Sequence, residues 1–188
     1  QIINEATSFK YDITIPSGSS LTVNAAIHMG PRSKILVEPG GHLNLTDEGS
    51  ISNNCSVFWR GIFSNGTVEL EGIIEGADIG FSNGIPQGPI SFPLQDTVYN
   101  FQNWSLSESS TSLITNAIFQ NCGIGVYLPW ELGGVWSNLS ENPVVINNCK
   151  FLCNDQLGDI DYALENPSHY PNESCDYCGD ANAQRRSA

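Results

Sequence analysis

Charged residues are scarce in this sequence, and most of those present are acidic. Lys, Arg, Asp and Glu make up 14% of the 188 residues, and the formal net charge is −13. Because an acidic surface repels phosphate backbones and anionic lipid headgroups, we expect neither nucleic acid nor an anionic membrane surface as a partner. Hydrophobic residues still make up 40%, so the composition does not predict disorder.

Long apolar runs and helical patterns are also missing. No run reaches the roughly 18 apolar residues that a transmembrane helix needs, and no basic segment followed by an apolar one indicates a signal peptide. Apolar residues do not sustain a helical period, so the only helix expected is a short N-terminal cap over residues 1–8. Abundant Gly, Asn and Ser instead indicate turns and extended segments.

An internal repeat is the most informative pattern present. Residues 13–23 align without a gap with residues 35–45, and we call this pair of segments the early repeat. In each copy, two short strands of alternating apolar and polar residues flank a Pro/Gly corner, where Gly18 aligns with Gly40. Stacking one copy on the next would pair equivalent strands about 4.8 Å apart. A repeat of this length suits one rung of a stacked solenoid.

A second repeat follows at a larger spacing. The segment Ile114–Phe119 resembles Ile146–Phe151, and we call this pair the late repeat; Ile74–Ile79 resembles both of its copies. Asn116 and Asn148 occupy equivalent positions, so we expect their amides to stack and bond along the solenoid, in preference to a functional role. The larger spacing predicts outward loops at Pro86–Ser112 and Pro129–Pro143, on one face of the solenoid.

The predicted fold is therefore all-β: a right-handed parallel β-helix of five to seven rungs with two inserted loops. We expect it to span residues 1–155, followed by an acidic, Cys-containing segment over 156–188 that is either a loose tail or the point where a longer protein was truncated. The predicted core consists of inward-facing apolar side chains: Ile13, Ile15, Leu21, Val23, Ile35, Val37, Leu43, Leu45, Val68, Leu70, Ile79, Phe119, Ile146 and Phe151.

Several segments together resemble a known group of proteins. They are residues 35–45, with a Pro-Gly-Gly corner, the Asn/Cys segment 51–55, the Trp-Arg-Gly-Ile strand at 59–62, and residues 76–80, 114–122 and 146–151. Their order resembles the β-helix regions of large secreted and surface proteins of Bacteroidetes. The resemblance implies export by the type IX system and a location at the outer membrane, with a role as a scaffold or adhesion element. The sorting domain expected in such chains is not visible in this sequence. The resemblance implies no catalytic residue.

Aromatic residues in the predicted loops are the candidate ligand-binding residues. Exposed rings near Asn and Asp stack on sugars, which favours glycan binding by the loops; packing of the loops against the solenoid is the alternative. The candidates are Tyr99, Trp104, Trp130 and Trp136. Trp59 lies on a predicted strand, where burial is favoured over a role as a sugar platform.

The six cysteines favour an oxidising, extracellular location and disulfides. Four of them could instead hold a structural zinc ion: Cys149, Cys153, Cys175 and Cys178. A cluster formed by Asp155, Asp159 and Asp161 is a weak candidate for calcium, although a solvated acidic loop is the favoured interpretation. No other cofactor is expected.

A carbohydrate-active β-helix enzyme, either a polysaccharide lyase or a glycoside hydrolase, is the alternative function. A hydrolase needs paired carboxylates, and no Asp-Asp pair is present in the sequence. A lyase needs a basic residue beside acidic groups, and no basic residue follows an acidic cluster; the three histidines also look isolated. The sequence therefore favours a non-catalytic scaffold that binds glycans or other surface proteins.

Overall fold

Every regular element that the structure describes is a β-strand. The computed structural model describes residues 1–53, 58–86, 104–105, 111–128 and 144–152. The strands are β1 Ile2–Ile3, β2 Thr7–Phe9, β3 Ile13–Ile15, β4 Ser20–Val23, β5 Ala26–Met29, β6 Lys34–Val37, β7 His42–Leu45, β8 Ser50–Asn53, β9 Trp59–Ser64, β10 Thr67–Leu70, β11 Ile73–Glu75, β12 Ala77–Asn83, β13 Ile85–Pro86, β14 Trp104–Ser105, β15 Thr111–Thr115, β16 Ile118–Gln120, β17 Ile124–Tyr127, β18 Val144–Asn147 and β19 Lys150–Leu152.

Three parallel sheets account for all of these strands except β13 and β14, which pair with each other in an antiparallel manner. Sheet 1 has the order β1-β4-β7-β10-β15-β18, sheet 2 the order β2-β5-β8-β11-β16-β19, and sheet 3 the order β3-β6-β9-β12-β17. The chain therefore visits sheets 1, 2 and 3 in succession and then returns to sheet 1. We call one such passage a rung. The arrangement is consistent with a parallel β-helix or solenoid.

The described rungs follow one another along the stack. Rung 1 contains β1 to β3, rung 2 β4 to β6, rung 3 β7 to β9, rung 4 β10 to β12 and rung 5 β15 to β17; β18 and β19 begin a sixth. The two long connections lie after β12 and after β17, so both leave sheet 3 and return to sheet 1. The predicted insertions thus fall at the same corner, although most of their residues lie outside the described ranges.

The early repeat sets the register between rungs as predicted. Ile13 pairs with Ile35 and Ile15 with Val37 in sheet 3, while Leu21 pairs with Leu43 in sheet 1. At the corner between these sheets, the Gly18 amide donates to the Gly40 carbonyl oxygen at 2.9 Å. The late repeat is also confirmed, because β15 and β16 pair with β18 and β19 in the expected register.

The predicted alignment of Ile74–Ile79 with the late repeat is wrong. Ile74 pairs with Phe119 rather than with Ile114, whose true partner in rung 4 is Leu70. Left-handed residues occur at different corners in different rungs, and the alignment matched two corners that are not equivalent. Gly76 (φ 62°) lies between sheets 2 and 3, whereas Asn116 (φ 58°) lies between sheets 1 and 2.

Asparagine side chains bond from rung to rung at the corner between sheets 1 and 2. Asn148 Nδ2 donates to Asn116 Oδ1 at 2.7 Å, so the predicted stacking of this pair is confirmed. At the other end of the stack, Asn24 Nδ2 donates to Asn4 Oδ1 at 2.8 Å. The bonds satisfy amides that would otherwise compete with the strand ladders for backbone partners.

Inward-facing side chains form one aliphatic column through the stack. Of the predicted core, this column contains Ile15, Leu21, Val23, Ile35, Val37, Leu43, Leu45, Val68, Leu70 and Phe119, all of them buried, and Ile13 packs against them. Ile79 is also buried, but it lies in a separate cluster with Phe63. The prediction is wrong for Ile146 and Phe151, which are 44% and 57% exposed. Both belong to the last described rung, where the Phe151 ring stacks on Phe119 of the preceding rung, at 5.2 Å between centroids.

The predicted N-terminal helix is also wrong. Residues 1–8 contain β1 and the start of β2. Ile3 is buried and pairs with Val23, so extension gains both apolar burial and ladder hydrogen bonds that an isolated helix of two turns cannot match.

Two glycines provide a matched test of the stacking. Gly61 (φ 117°) lies where β9 and β12 approach so closely that an added Cβ would overlap the Ile79 carbonyl oxygen, whereas Gly18 (φ 75°) has no atom within 4 Å of that position. We expect Gly18→Ala to lower the free energy of unfolding by about 1 kcal/mol through backbone strain. Gly61→Ala should lower it by more than about 3 kcal/mol, because the backbone of β12 must move. Urea unfolding measures both values; similar losses would contradict the described approach of β9 and β12.

Candidate functional site

The predicted ligand-binding aromatic residues are only partly within the described structure. Trp104 lies in β14, opposite Pro86 of β13, and only its backbone is described. Tyr99, Trp130 and Trp136 lie outside the described residues. Glycan binding by the inserted loops therefore stays a prediction.

The cysteine and aspartate candidates fall mostly outside the described ranges as well. Cys149 is described and is not in a disulfide; its Sγ lies 3.4 Å from the Ile114 and Asn147 carbonyl oxygens. Cys153, Cys175 and Cys178 are among residues 153–188, as are Asp155, Asp159 and Asp161. Within the described ranges, no group of three or more His, Cys, Asp or Glu side chains is arranged to hold a metal ion.

Trp59 is a core residue, as the favoured interpretation holds. Its side chain is fully buried, and its indole Nε1 donates to the Glu75 carbonyl oxygen at 2.8 Å. The indole thus packs in the core while its single donor is satisfied. It is not available as a surface platform for a sugar.

An open groove of about 420 Å³ lies at the corner between sheets 2 and 3, in the first two rungs. It is formed by the links β2–β3 and β5–β6, and we call it the corner groove. Its lining residues are Lys10, Tyr11, Asp12, Pro31, Arg32 and Ser33. The Tyr11 side chain is 75% exposed, and Lys10 Nζ lies 5.8 Å from the centroid of its ring.

A tight turn places Arg32 in this groove. The Ser33 amide donates to the Gly30 carbonyl oxygen at 3.1 Å, which closes a turn with Pro31 and Arg32 at its centre. Arg32 has φ 60°, in the left-handed region. Pro followed by a residue of positive φ is the pattern of a type II turn, in which Gly or Asn is preferred at the second position. Among the described residues other than Gly, three more have positive φ, and all three are Asn.

Basic side chains from three rungs gather at this corner. Lys34 Nζ lies 3.8 Å from Asp12 Oδ2, and the Lys34 amide donates to Asp12 Oδ1 at 3.0 Å. In rung 3, the Arg60 amide donates to the Ser33 carbonyl oxygen at 2.7 Å. Lys10, Arg32, Lys34 and Arg60 are four of the seven Lys and Arg residues in the chain. An acidic protein thus carries a locally basic corner.

Asp78 extends this corner into rung 4. Its Oδ2 accepts a hydrogen bond from Arg60 Nη1 at 3.3 Å, and only 17% of its side chain is exposed. Burial raises the pKa of Asp78 from 3.8 to about 6, although the charges of Arg60 and Arg32 oppose the rise. The carboxylate is therefore ionised at neutral pH and becomes protonated in mildly acidic solution.

The structure also pairs two histidines that look isolated in the sequence. His28 Nδ1 lies 3.1 Å from Ser52 Oγ on the outer face of sheet 2, and His42 Nε2 lies 3.7 Å from Glu69 Oε1 on sheet 1. Glu75 lies one rung beyond Ser52 on the same ladder. Its Oε1 accepts a hydrogen bond from the side-chain Nε2 of Gln120 at 3.3 Å. A hydrolytic triad needs the acid to orient the imidazole, whereas here the serine lies between histidine and acid.

Comparison with protein-family models, with curated proteins and with solved structures finds no match. No helix that could cross a membrane occurs in the part of the chain that the structure describes. The geometry of the corner groove is therefore the main guide to function.

The buried Asp78 predicts a pH-dependent stability. The folded chain holds a proton on this carboxyl up to about pH 6, whereas the unfolded chain loses it near 3.8. The stabilisation from this proton is complete below the unfolded value and is lost as the pH rises through the folded value. Between about pH 4 and pH 7, we expect the free energy of unfolding of wild type to fall by on the order of 2 kcal/mol relative to that of Asp78→Asn.

Denaturant unfolding of both proteins at several pH values measures this difference. Asp47→Asn, which removes an exposed aspartate, controls for the change in net charge. A difference between wild type and Asp78→Asn that stays constant over the range would contradict a raised pKa at Asp78.

Proposed function

We propose that this chain is a right-handed parallel β-helix that serves as a scaffold and binding module of a secreted or cell-surface protein. The observation that supports this most strongly is the succession of rungs through three parallel sheets around one aliphatic column. Right-handedness is the strong preference of crossover connections between parallel strands. Such stacks present long, rigid outer faces, which suit ligand binding by side chains from several rungs.

An extracellular location is part of the proposal. It is supported by the acidic, Asn- and Gly-rich composition, by the six cysteines, and by the resemblance to surface proteins of Bacteroidetes. On this basis the chain acts within a longer exported protein, with glycans or other outer-membrane proteins as partners. We propose two regions that bind them: the insertions between sheets 3 and 1, and the corner groove between sheets 2 and 3.

A polysaccharide lyase is the second candidate, and one observation favours it. Arg60 and Asp78 form a close pair beside the groove that Lys10 and Tyr11 line. The fold therefore brings basic and acidic groups together, although no basic residue follows an acidic cluster in the sequence. We rank this candidate below binding because the Arg60–Asp78 contact satisfies both groups. A lyase needs its base to reach the substrate proton.

A glycan array combined with a turnover assay separates the two candidates. We expect the purified chain to bind at least one class of glycan and to release no unsaturated product from pectin or alginate with calcium present, measured by ultraviolet absorbance. If the inserted loops contribute, Trp130→Ala and Trp136→Ala should weaken binding. Release of unsaturated product would favour the lyase, and absence of glycan binding would remove the glycan-binding proposal.

A further inference from the structure

We infer that the corner groove binds an acidic polysaccharide, through salt bridges from Arg32 and its neighbouring basic residues to uronate carboxylates and through stacking of a sugar ring on Tyr11. This inference rests on the proposed function as a binding module, and it identifies the surface and the ligand class. It also differs from the prediction made from the sequence, which assigned ligand binding to the loop tryptophans.

The distribution of charge is the first argument. The chain has a net charge of −13, so that its average field repels polyanions. At this corner, however, Lys10 and Arg32 line the groove, while Lys34 pairs with Asp12 and Arg60 pairs with Asp78 beside it. Four basic and two acidic groups give this corner a net positive charge. A carboxylate is therefore attracted to this surface even though the protein as a whole is acidic.

The backbone at Arg32 is the second argument. Positive φ is costly for a side chain with a Cβ, and Gly would occupy the same turn position without strain. An exposed arginine in this position gains little from burial, although its charge attracts the Asp78 carboxylate. Strain of this kind concentrates at functional sites. The planar guanidinium of Arg suits two parallel hydrogen bonds to a carboxylate, which a Gly or Asn at this corner could not provide.

Tyr11 supplies the argument for a carbohydrate. Tyr11 is 75% exposed and lines the groove, and the Lys10 ammonium group lies over its ring, 5.8 Å from the centroid. A sugar ring can stack on the face opposite Lys10, or it can displace this cation, which would then pair with the carboxylate of the sugar. A nucleic acid would bring a dense row of phosphates against a protein of strongly negative net charge, so it is the less favoured polymer.

The order of the rungs gives the expected direction of the polymer. Lys10 belongs to rung 1, Arg32 and Lys34 to rung 2, and Arg60 to rung 3. Rungs are spaced by about 4.8 Å, so the basic groups extend along the solenoid axis. A polysaccharide that contacts Lys10 and Arg32 in succession runs parallel to this axis, across the strands, while Arg60 is held by Asp78.

Titration calorimetry with polygalacturonate, its fully methyl-esterified form and single-stranded DNA of matched length tests the inference. We expect the wild-type chain to bind polygalacturonate at least tenfold more tightly than the ester or the DNA. Arg32→Gly should weaken this binding at least tenfold while its Tm stays equal or rises, because the substitution relieves strain. Tyr11→Ala should also weaken binding, and Lys150→Ala, which removes an exposed cation in the last described rung, should not.

The remaining outcomes would contradict the inference. Equal binding of the ester shows that carboxylates are not recognised, and equal binding of DNA shows unspecific attraction of polyanions; either overturns the inference. Polygalacturonate binding that Arg32→Gly and Tyr11→Ala leave unchanged overturns it as well, while the proposed binding function stands. If no polysaccharide binds here or on the glycan array, the inference and the glycan-binding part of the proposed function both fall.

Discussion

Backbone hydrogen bonding between successive rungs is the constraint on which the rest of the molecule depends. Because each strand pairs with the strand one rung earlier, in register, a side chain lies above its equivalent rather than beside its neighbour in sequence. Apolar positions consequently merge into one column, and corner asparagines bond to one another. The same constraint brings Lys10, Arg32 and Arg60 to one corner, since each follows or opens a link between sheets 2 and 3.

One corner departs from the local backbone preference that the others follow. Most of the positive-φ corners use Gly or Asn, the residues that tolerate this conformation best. Arg32 is the exception among the described residues, and it lies in the corner groove together with Lys10. Packing alone does not require an arginine there. A ligand that the guanidinium holds would explain why this corner departs from the local rule.

The sequence predicted the fold well where consecutive rungs have equal length. The early repeat gave the correct register for Ile13 with Ile35 and for Leu21 with Leu43. Alignment failed at Ile74, where an insertion follows and left-handed residues occur at corners that are not equivalent. Exposure of Phe151 also could not be predicted, because burial at the end of a stack depends on what covers it.

The corner groove was accessible from the sequence but was missed. The alignment of the early repeat, extended toward the N-terminus, places Lys10 above Arg32 and Asp12 above Lys34, so three of the four basic residues at this corner follow from the repeat. The aromatic loops, which have no equivalent in neighbouring rungs, gave the more conspicuous pattern for a ligand site. Arg60 and Asp78 were harder to assign, because their contact depends on a Gly76 corner that the sequence alignment placed wrongly.

The in-register stacking of rungs is best tested by scalar couplings measured across backbone hydrogen bonds by NMR. The structure predicts a coupling between the Glu38 amide nitrogen and the Ile15 carbonyl carbon, and another between the Thr46 amide and the Val23 carbonyl, since these groups bond between adjacent rungs. Couplings between β3 and β4, as in an antiparallel hairpin, would contradict the stacked arrangement and the groove that it builds.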